Sequence, residues 1–215
     1  SISAMQKRPI KLLLTLVAVS LFCSLQAQDS GPERRFEAGV VAGLNVSQVD
    51  GDKLLGFYKY GFQGGIKADA VLSERWKVGI ELLFSQQGAR QSRFDNPSSE
   101  LDVENIQFNM VEAPVLVHFR DWKLQFTAGG SYGNIINYTV TEVTGEDVTE
   151  RHPISQDVFS VILGGSFYFT ENWVMDIRWS RWLNSPYSEE LAEANDQTLV
   201  PWIGRNITIR GCYLF

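Results

Sequence analysis

Downstream of residue 27 the chain alternates apolar with polar or small residues at a period of two, and no segment sustains the 3.6-residue spacing of an amphipathic helix. The first stretch sets Phe36, Ala38, Val40, Ala42, Leu44 and Val46 against Glu37, Gly39, Val41, Gly43, Asn45 and Ser47. The second runs from Tyr60 to Leu72. The third is the cleanest, with Trp76, Val78, Ile80, Leu82 and Phe84 facing away from Lys77, Gly79, Glu81, Leu83 and Ser85. The fourth, about Ile106 to Phe119, slips phase near Met110 and Val111 and contains Pro114, which has no N–H to give a ladder; the pattern predicts a bulge there. Four more stretches follow: Trp122 to Tyr132, Phe159 to Phe169, Trp173 to about Trp182, and Asn206 to Phe215.

The spacing between stretches decides the architecture. Three connections are short: Ser73 to Arg75, Arg120 with Asp121, and Thr170 to Asn172. The others are long, at about Gln48 to Phe57, Gln86 to Asn105, Gly133 to Asp157 and Leu183 to Arg205. Short turns at one end and long loops at the other predict an all-β fold, an eight-stranded antiparallel up-and-down transmembrane β-barrel with periplasmic turns and extracellular loops.

The large aromatics give a second regularity. Phe36, Trp76, Phe119, Trp122, Phe169, Trp173 and Phe215 fall at the short-turn ends of their strands on one face, with Leu72 in the equivalent place on the second strand. Such a ring predicts an interfacial girdle, since these side chains suit the boundary between hydrocarbon and head groups. The opposite face carries Glu37, Asp69, Glu81, Glu112 and Asp176 with Lys67, Lys77, Lys123, Arg178 and Arg210. A cation on the hydrocarbon side costs roughly 2–4 kcal/mol at mid-bilayer, so the ionic face is assigned to the lumen and the aromatic face to lipid. An eight-stranded barrel is only wide enough inside for side chains. The expected lumen network is Lys67, Asp69, Glu81, Glu112, Asp176, Arg178 and Arg210; turn closure sets Lys67 across from Glu81 as a pair, and Gly164 across from Arg178 as room for it.

Upstream, Met5 to Ala27 has Lys7, Arg8 and Lys11, then the largely apolar run Leu12 to Phe22, then Ser24-Leu25-Gln26-Ala27. This predicts a secretory signal peptide over residues 1–27, cleaved after about Ala27, with residues 1–4 read as upstream or non-native and residues 28–215 as the barrel domain. Phe22 before Cys23 is too large for a lipoprotein signal, and cleavage would leave Cys212 without an intrachain partner. The 215 residues carry 19 Lys+Arg against 25 Asp+Glu, so there is no basic footprint and no nucleic-acid partner is expected. At 12% aromatic the chain is not a disordered one.

Several residues mark a resemblance. Ala42 to Asp52 followed by Gly56 to Phe62, then Val111-Glu112-Ala113-Pro114-Val115-Leu116, Ala128-Gly129-Gly130 and the closing Tyr213-Leu214-Phe215, resemble the small outer-membrane barrels of Bacteroidota called PorT-family or porin-family proteins. The resemblance spans the chain beyond the signal. It implies an integral outer-membrane barrel of a Gram-negative bacterium, with Tyr213 and Phe215 resembling the signal read by the barrel-assembly machinery, and it carries no activity. Part of the name is shared with a component of the type IX secretion apparatus, but no motif ties the chain to that component.

Candidate chemistry is sparse. His152 with Ser155 and Asp157 can be drawn as a triad, yet three polar residues in a polar loop are commonplace, and His118 lies at the periplasmic end. Once Cys23 leaves with the signal, Cys212 and two distant histidines do not make a zinc site, so no cofactor or metal is expected. The loops are acidic, with Asp50 and Asp52, then Glu100, Asp102 and Glu104, then Glu142, Glu146, Asp147 and Glu150, then Glu189, Glu190, Glu193 and Asp196. Divalent cations can bridge such carboxylates, but solvated charge is the plainer reading. The expectation is a non-enzymatic envelope structural or accessory protein with a plugged lumen, surrounded by outer-membrane lipid and lipopolysaccharide, its outer loops open to envelope or secretion proteins. A transport or secretion role is the alternative, and an outer-leaflet lipid-modifying enzyme is less favoured. A soluble lipocalin-like barrel would need an apolar interior.

Overall fold

The computed structural model describes residues 35–50, 59–90, 103–142, 145–149, 154–186 and 202–215. Eight strands close into one antiparallel barrel in sequence order. They are β1 (Phe36–Asp50), β2 (Lys59–Val71), β3 (Trp76–Arg90), β4 (Val103–Asp121), β5 (Leu124–Glu142), β6 (Asp157–Tyr168), β7 (Trp173–Trp182) and β8 (Ile203–Leu214). β8 pairs back onto β1, Arg210 lying opposite Gly43, so the sheet has no free edge. The expected signal segment lies outside the described residues.

The side-chain alternation holds. Along β3, Trp76, Ile80, Leu82 and Phe84 are exposed on the outer wall while Lys77, Glu81, Leu83 and Ser85 are buried inside. The short connections close as the spacing predicts, with Lys67 opposite Glu81 and Gly164 opposite Arg178.

Three expectations need correction. First, Trp122 does not open a strand: β4 runs to Asp121 and β5 starts at Leu124, leaving Trp122 and Lys123 as a two-residue turn in which Trp122 takes a left-handed φ of 56°. Such turns want positive φ, a demand usually met by Asn or Gly. Lys123 is therefore exposed, its ammonium 5.6 Å over the Trp122 ring, and it is not in the lumen.

Second, β4 keeps one phase from Asn105 to His118. Ile106, Phe108, Met110, Glu112, Pro114, Leu116 and His118 all point inward. The register against β5 does shift beside Asn109 and Met110, but the extra residue, Ile136, is on β5. What reads as a phase slip is a change of medium. Below Met110 the outer face of β4 is Val111, Ala113, Val115 and Val117; above it the outer face is Asn105, Gln107 and Asn109 and the inner face becomes apolar. β3 does the same, with Gln86 and Arg90 outward above Phe84. A wall apolar over about nine residues and polar beyond is what a strand tilted through a hydrocarbon layer requires.

Third, the strands continue beyond their apolar stretches. β5 extends ten residues past Tyr132 to Glu142, and Thr141 bridges to Asp147 across a turn at Gly145. The long loops are correspondingly shorter.

Candidate functional site

The barrel interior is where the expected ionic residues meet. It is stacked in layers. At mid-height Arg178 from β7 donates Nη1 to Glu81 Oε2 at 3.0 Å and Nη2 to Glu81 Oε1 at 2.8 Å. Arg210 from β8 donates Nε to Asp176 Oδ2 at 2.9 Å and Nη2 to Glu81 Oε1 at 3.0 Å. Arg178 Nε lies 2.8 Å from Asp176 Oδ2, closing a ring of two arginines and two carboxylates, all buried. Desolvating four charges is costly, and planar guanidinium forks that match carboxylates in pairs are the arrangement that offsets it best.

That geometry explains where Lys67 goes. Glu81 is occupied by both arginines, and Lys67, although directly across from it, turns instead to Asp69 on its own strand at 2.8 Å. The expected Lys67–Glu81 pair is not formed. Gly164 does make room: a Cβ there would stand 2.8 Å from Arg178 Cγ and 2.9 Å from the Ile177 carbonyl, too close for any other residue. Glu112 joins the network through amides, accepting from Gln87 Nε2 at 2.7 Å and Gln63 Nε2 at 3.2 Å, while Gln63 Oε1 accepts from Arg210 at 3.4 Å. A small cavity among Gln63, Glu112, Pro114, Arg178 and Arg210 has room for about one water.

Towards the turn end, His118 is fully buried. Its Nδ1 is 2.8 Å from Thr127 Oγ1 and its Nε2 is 3.6 Å from Asp69 Oδ1. Below it, Lys77 meets Glu37 at 2.6 Å, the Tyr168 hydroxyl donates to Gln125 at 2.8 Å, and the Arg120 guanidinium lies 3.9 Å over the Tyr168 ring. Val41, Leu83, Tyr168, Val174, Cys212 and Leu214 are buried together as an apolar cluster.

Towards the loop end the lumen is closed by a layer that the sequence reading missed. Val49, Ile106, Phe108, Met110, Ile135, Val140, Val158, Trp182 and Trp202 are buried together. Phe108 packs edge-on to Trp182 at 5.4 Å and to Trp202 at 6.3 Å, and Trp182 Nε1 donates to Gln87 at 3.2 Å, joining this layer to the polar one. The signal was the even-numbered apolar set of β4, hidden by assuming that apolar always means outward.

On the outer wall, Phe36, Trp76, Trp122, Phe169, Trp173 and Phe215 are exposed at the turn end, and Phe119 packs 5.0 Å from Trp76. Tyr213 and Phe215 stand outward beside Trp173, with Trp173 and Tyr213 rings 5.1 Å apart, and the Phe215 amide bonds to the Ala38 carbonyl at 2.9 Å.

Of the drawn triad, Ser155 and Asp157 are described. Asp157 opens β6, where its carboxylate accepts from the Tyr132 hydroxyl at 2.6 Å and from Asn134 at 3.3 Å, and the Ser155 amide bonds to Pro186. His152 lies outside the described residues. Asp147, in the loop after β5, is held below the usual carboxylate range by the Thr149 hydroxyl and amide, both donating to it. Of the other loop carboxylates, Asp52, Glu100, Asp102, Glu150, Glu189, Glu190, Glu193 and Asp196 lie outside the described residues. Among the described residues no group of three or more His, Cys, Asp or Glu is placed to hold a metal ion.

The family comparison agrees with the barrel. A family model described as "Outer membrane protein beta-barrel domain" matches residues 15–199. No curated protein matches the chain. Among solved structures the chain is similar to Ail, the attachment invasion locus protein of Yersinia pestis, with 14% identity and a TM-score of 0.49 over 85% of this chain and 100% of that one. It is also similar to Neisserial surface protein A, with 14% identity and a TM-score of 0.47 over 85% of this chain and 98% of that one.

Proposed function

The chain belongs to the outer membrane protein β-barrel domain family, and from that premise we propose that it is a non-enzymatic, side-chain-plugged barrel that serves the envelope as a structural or accessory component and offers its loop end to partners. One observation carries the reading: among the described residues the lumen holds packed layers, the Arg178–Glu81–Arg210–Asp176 ring at mid-height and the Phe108–Trp182–Trp202 layer above it. Ions crossing such an interior would have to break charge-assisted hydrogen bonds and displace close-packed aromatics. His118 is fully buried, and this supports a non-catalytic role.

In this reading the protein is made with a leader removed after about residue 27, is folded into the outer membrane by the assembly machinery through Tyr213 and Phe215, and sits among lipid and lipopolysaccharide. Membership of the PorT-like group of Bacteroidota rests on the resembling segments alone. Planar-bilayer recording tests the plug: the purified barrel inserts without steady conductance steps. Ohmic steps of uniform size would overturn the plugged lumen in favour of a transport role.

A further inference from the structure

The outer face of β6 is a column of large apolar side chains broken at one place. Phe159, Leu163, Phe167 and Phe169 stand outward, and between Leu163 and Phe167 the outward position is Gly165. No contact among the described residues requires a glycine there. Its register against Phe126 of β5 and Ile177 of β7 is unbroken, and its φ is not positive. A Cβ would come no closer than 3.9 Å to the Gln125 carbonyl. Gly164, its neighbour in the chain, is the opposite case, closed in by Arg178 on the lumen side. A glycine inside a strand weakens it, and where neither a bulge nor a steric need accounts for one, close approach of a ligand does.

The missing side chain leaves a groove of about 160 Å³ in the wall. Leu124 and Phe126 line it from β5, Phe167 from β6, and Met175 and Ile177 from β7, with Gly165 as its floor. An apolar hollow of about 150 Å³ takes a ligand the size of benzene. This groove opens on the face assigned to hydrocarbon, so what enters it is a run of methylenes. Gly165 lies four residues above Phe169 and Ile177 four above Trp173, which puts the groove just inside the turn-end girdle.

At its foot two turns stand side by side, the Lys123 carbonyl accepting from the Tyr168 amide at 2.9 Å. Both turns are exposed and charged. Lys123 directly precedes Leu124, its ammonium 5.6 Å over the Trp122 ring; Asp121 is on the same turn and Glu171 on the next. Lys123 forms no ion pair with either carboxylate. One cation between two anions complements a head group that carries both signs, a phosphate for the lysine and an ammonium for the carboxylates, and it disfavours a purely anionic one.

We propose that this groove binds one zwitterionic aminophospholipid of the inner leaflet, an acyl chain lying against Gly165 between Phe126 and Ile177 and the head group resting on Lys123 and Glu171. The proposal rests on the barrel spanning the outer membrane with its short turns on the periplasmic side.

The test incubates the purified full-length barrel in detergent with an equimolar mixture of phosphatidylethanolamine, phosphatidylglycerol and phosphatidylcholine, and measures by mass spectrometry the lipid that stays with it through gel filtration. Phosphatidylethanolamine is retained in preference to the other two. Gly165→Leu, which fills the groove, retains about tenfold less of it. Ala68→Leu, which adds similar bulk to the exposed outer wall of β2, retains as much as the unaltered barrel. Lys123→Gln/Glu171→Gln loses the preference among the three lipids. Retention by Gly165→Leu equal to that of the unaltered barrel overturns the groove, and equal retention of all three lipids by the unaltered barrel overturns the head-group assignment. Heat-dependent gel mobility of the same samples separates the two levels: an unaltered barrel that keeps its folded mobility but retains no lipid refutes the site alone, whereas absence of that mobility in the unaltered protein refutes the membrane-barrel reading.

Discussion

Arg178 grips Glu81 with both terminal nitrogens across the lumen, at 3.0 and 2.8 Å, joining β7 to β3 through the barrel interior rather than along its wall. Both side chains are buried, and Glu81 is shared with Arg210. Removing Glu81 therefore leaves two buried cations sharing one carboxylate, Asp176.

Glu81→Ala is expected to destabilise the barrel by about 3–5 kcal/mol, the usual cost of breaking a buried ion pair from one side. Urea titration read by folded gel mobility measures this. The double variant Glu81→Leu/Arg178→Met leaves less charge unmatched and is expected to lose less than Glu81→Ala.

Gly164 is the clearance for that arginine. A methyl group at this position would meet Arg178 Cγ at 2.8 Å and push the guanidinium off Glu81. Gly164→Ala is expected to cost about 1–3 kcal/mol, as overpacking of a filled interior does, while Gly211→Ala, where a Cβ meets nothing within 4 Å, is expected to be near neutral. The same urea titration compares them.

The aromatic layer above the ring is the other half of the plug. Phe108→Ala opens a void beside Trp182 and Trp202 and is expected to cost about 3–5 kcal/mol. The ionic ring below stays intact, so the variant remains without steady conductance in a planar bilayer.

The outer wall changes medium between Val111 and Asn109 on β4 and between Phe84 and Gln86 on β3. Ile80→Arg, at the middle of the apolar band, is expected to cost about 2–4 kcal/mol in a lipid bilayer, and Gln86→Arg about 0–1 kcal/mol. Equal costs would move the band.

In the loop after β5, Asp147 accepts from the Thr149 hydroxyl and amide, which favours its charged form. Its pKa lies below the ordinary 3.8, so what it adds to the turn is fully present above that value and is lost as the pH falls through the lowered one. Thr149→Ala is expected to raise the Asp147 pKa towards 3.8, measured by its side-chain carboxyl chemical shift against pH.

Much of this was legible in the chain because a barrel wall asks each residue one question at a time. Two-residue alternation fixed which side Trp76 and Glu81 face, and the short connections fixed which residues stand opposite each other. Partner choice was less legible. Register puts Lys67 across from Glu81, but the longer, forked arginines from β7 and β8 reach Glu81 first, and a lysine's single ammonium settles on Asp69. The apolar layer of Phe108, Trp182 and Trp202 was illegible for a different reason: above the band the outside is water, so the polarity of the two faces reverses while the backbone phase does not. Trp122 shows the same limit at a turn, where its place in the girdle prevails over its poor fit to a left-handed φ.

The account depends on which face of β3 meets acyl chains. Nitroxide labels placed singly at positions 77 to 84, with Cys212 replaced by serine and the barrel reconstituted in phospholipid bilayers, report this through collision with oxygen, which concentrates in hydrocarbon. The account predicts high oxygen accessibility at 78, 80, 82 and 84 and low accessibility at 77, 79, 81 and 83. Uniform values along the strand, or maxima at the odd positions, would contradict it.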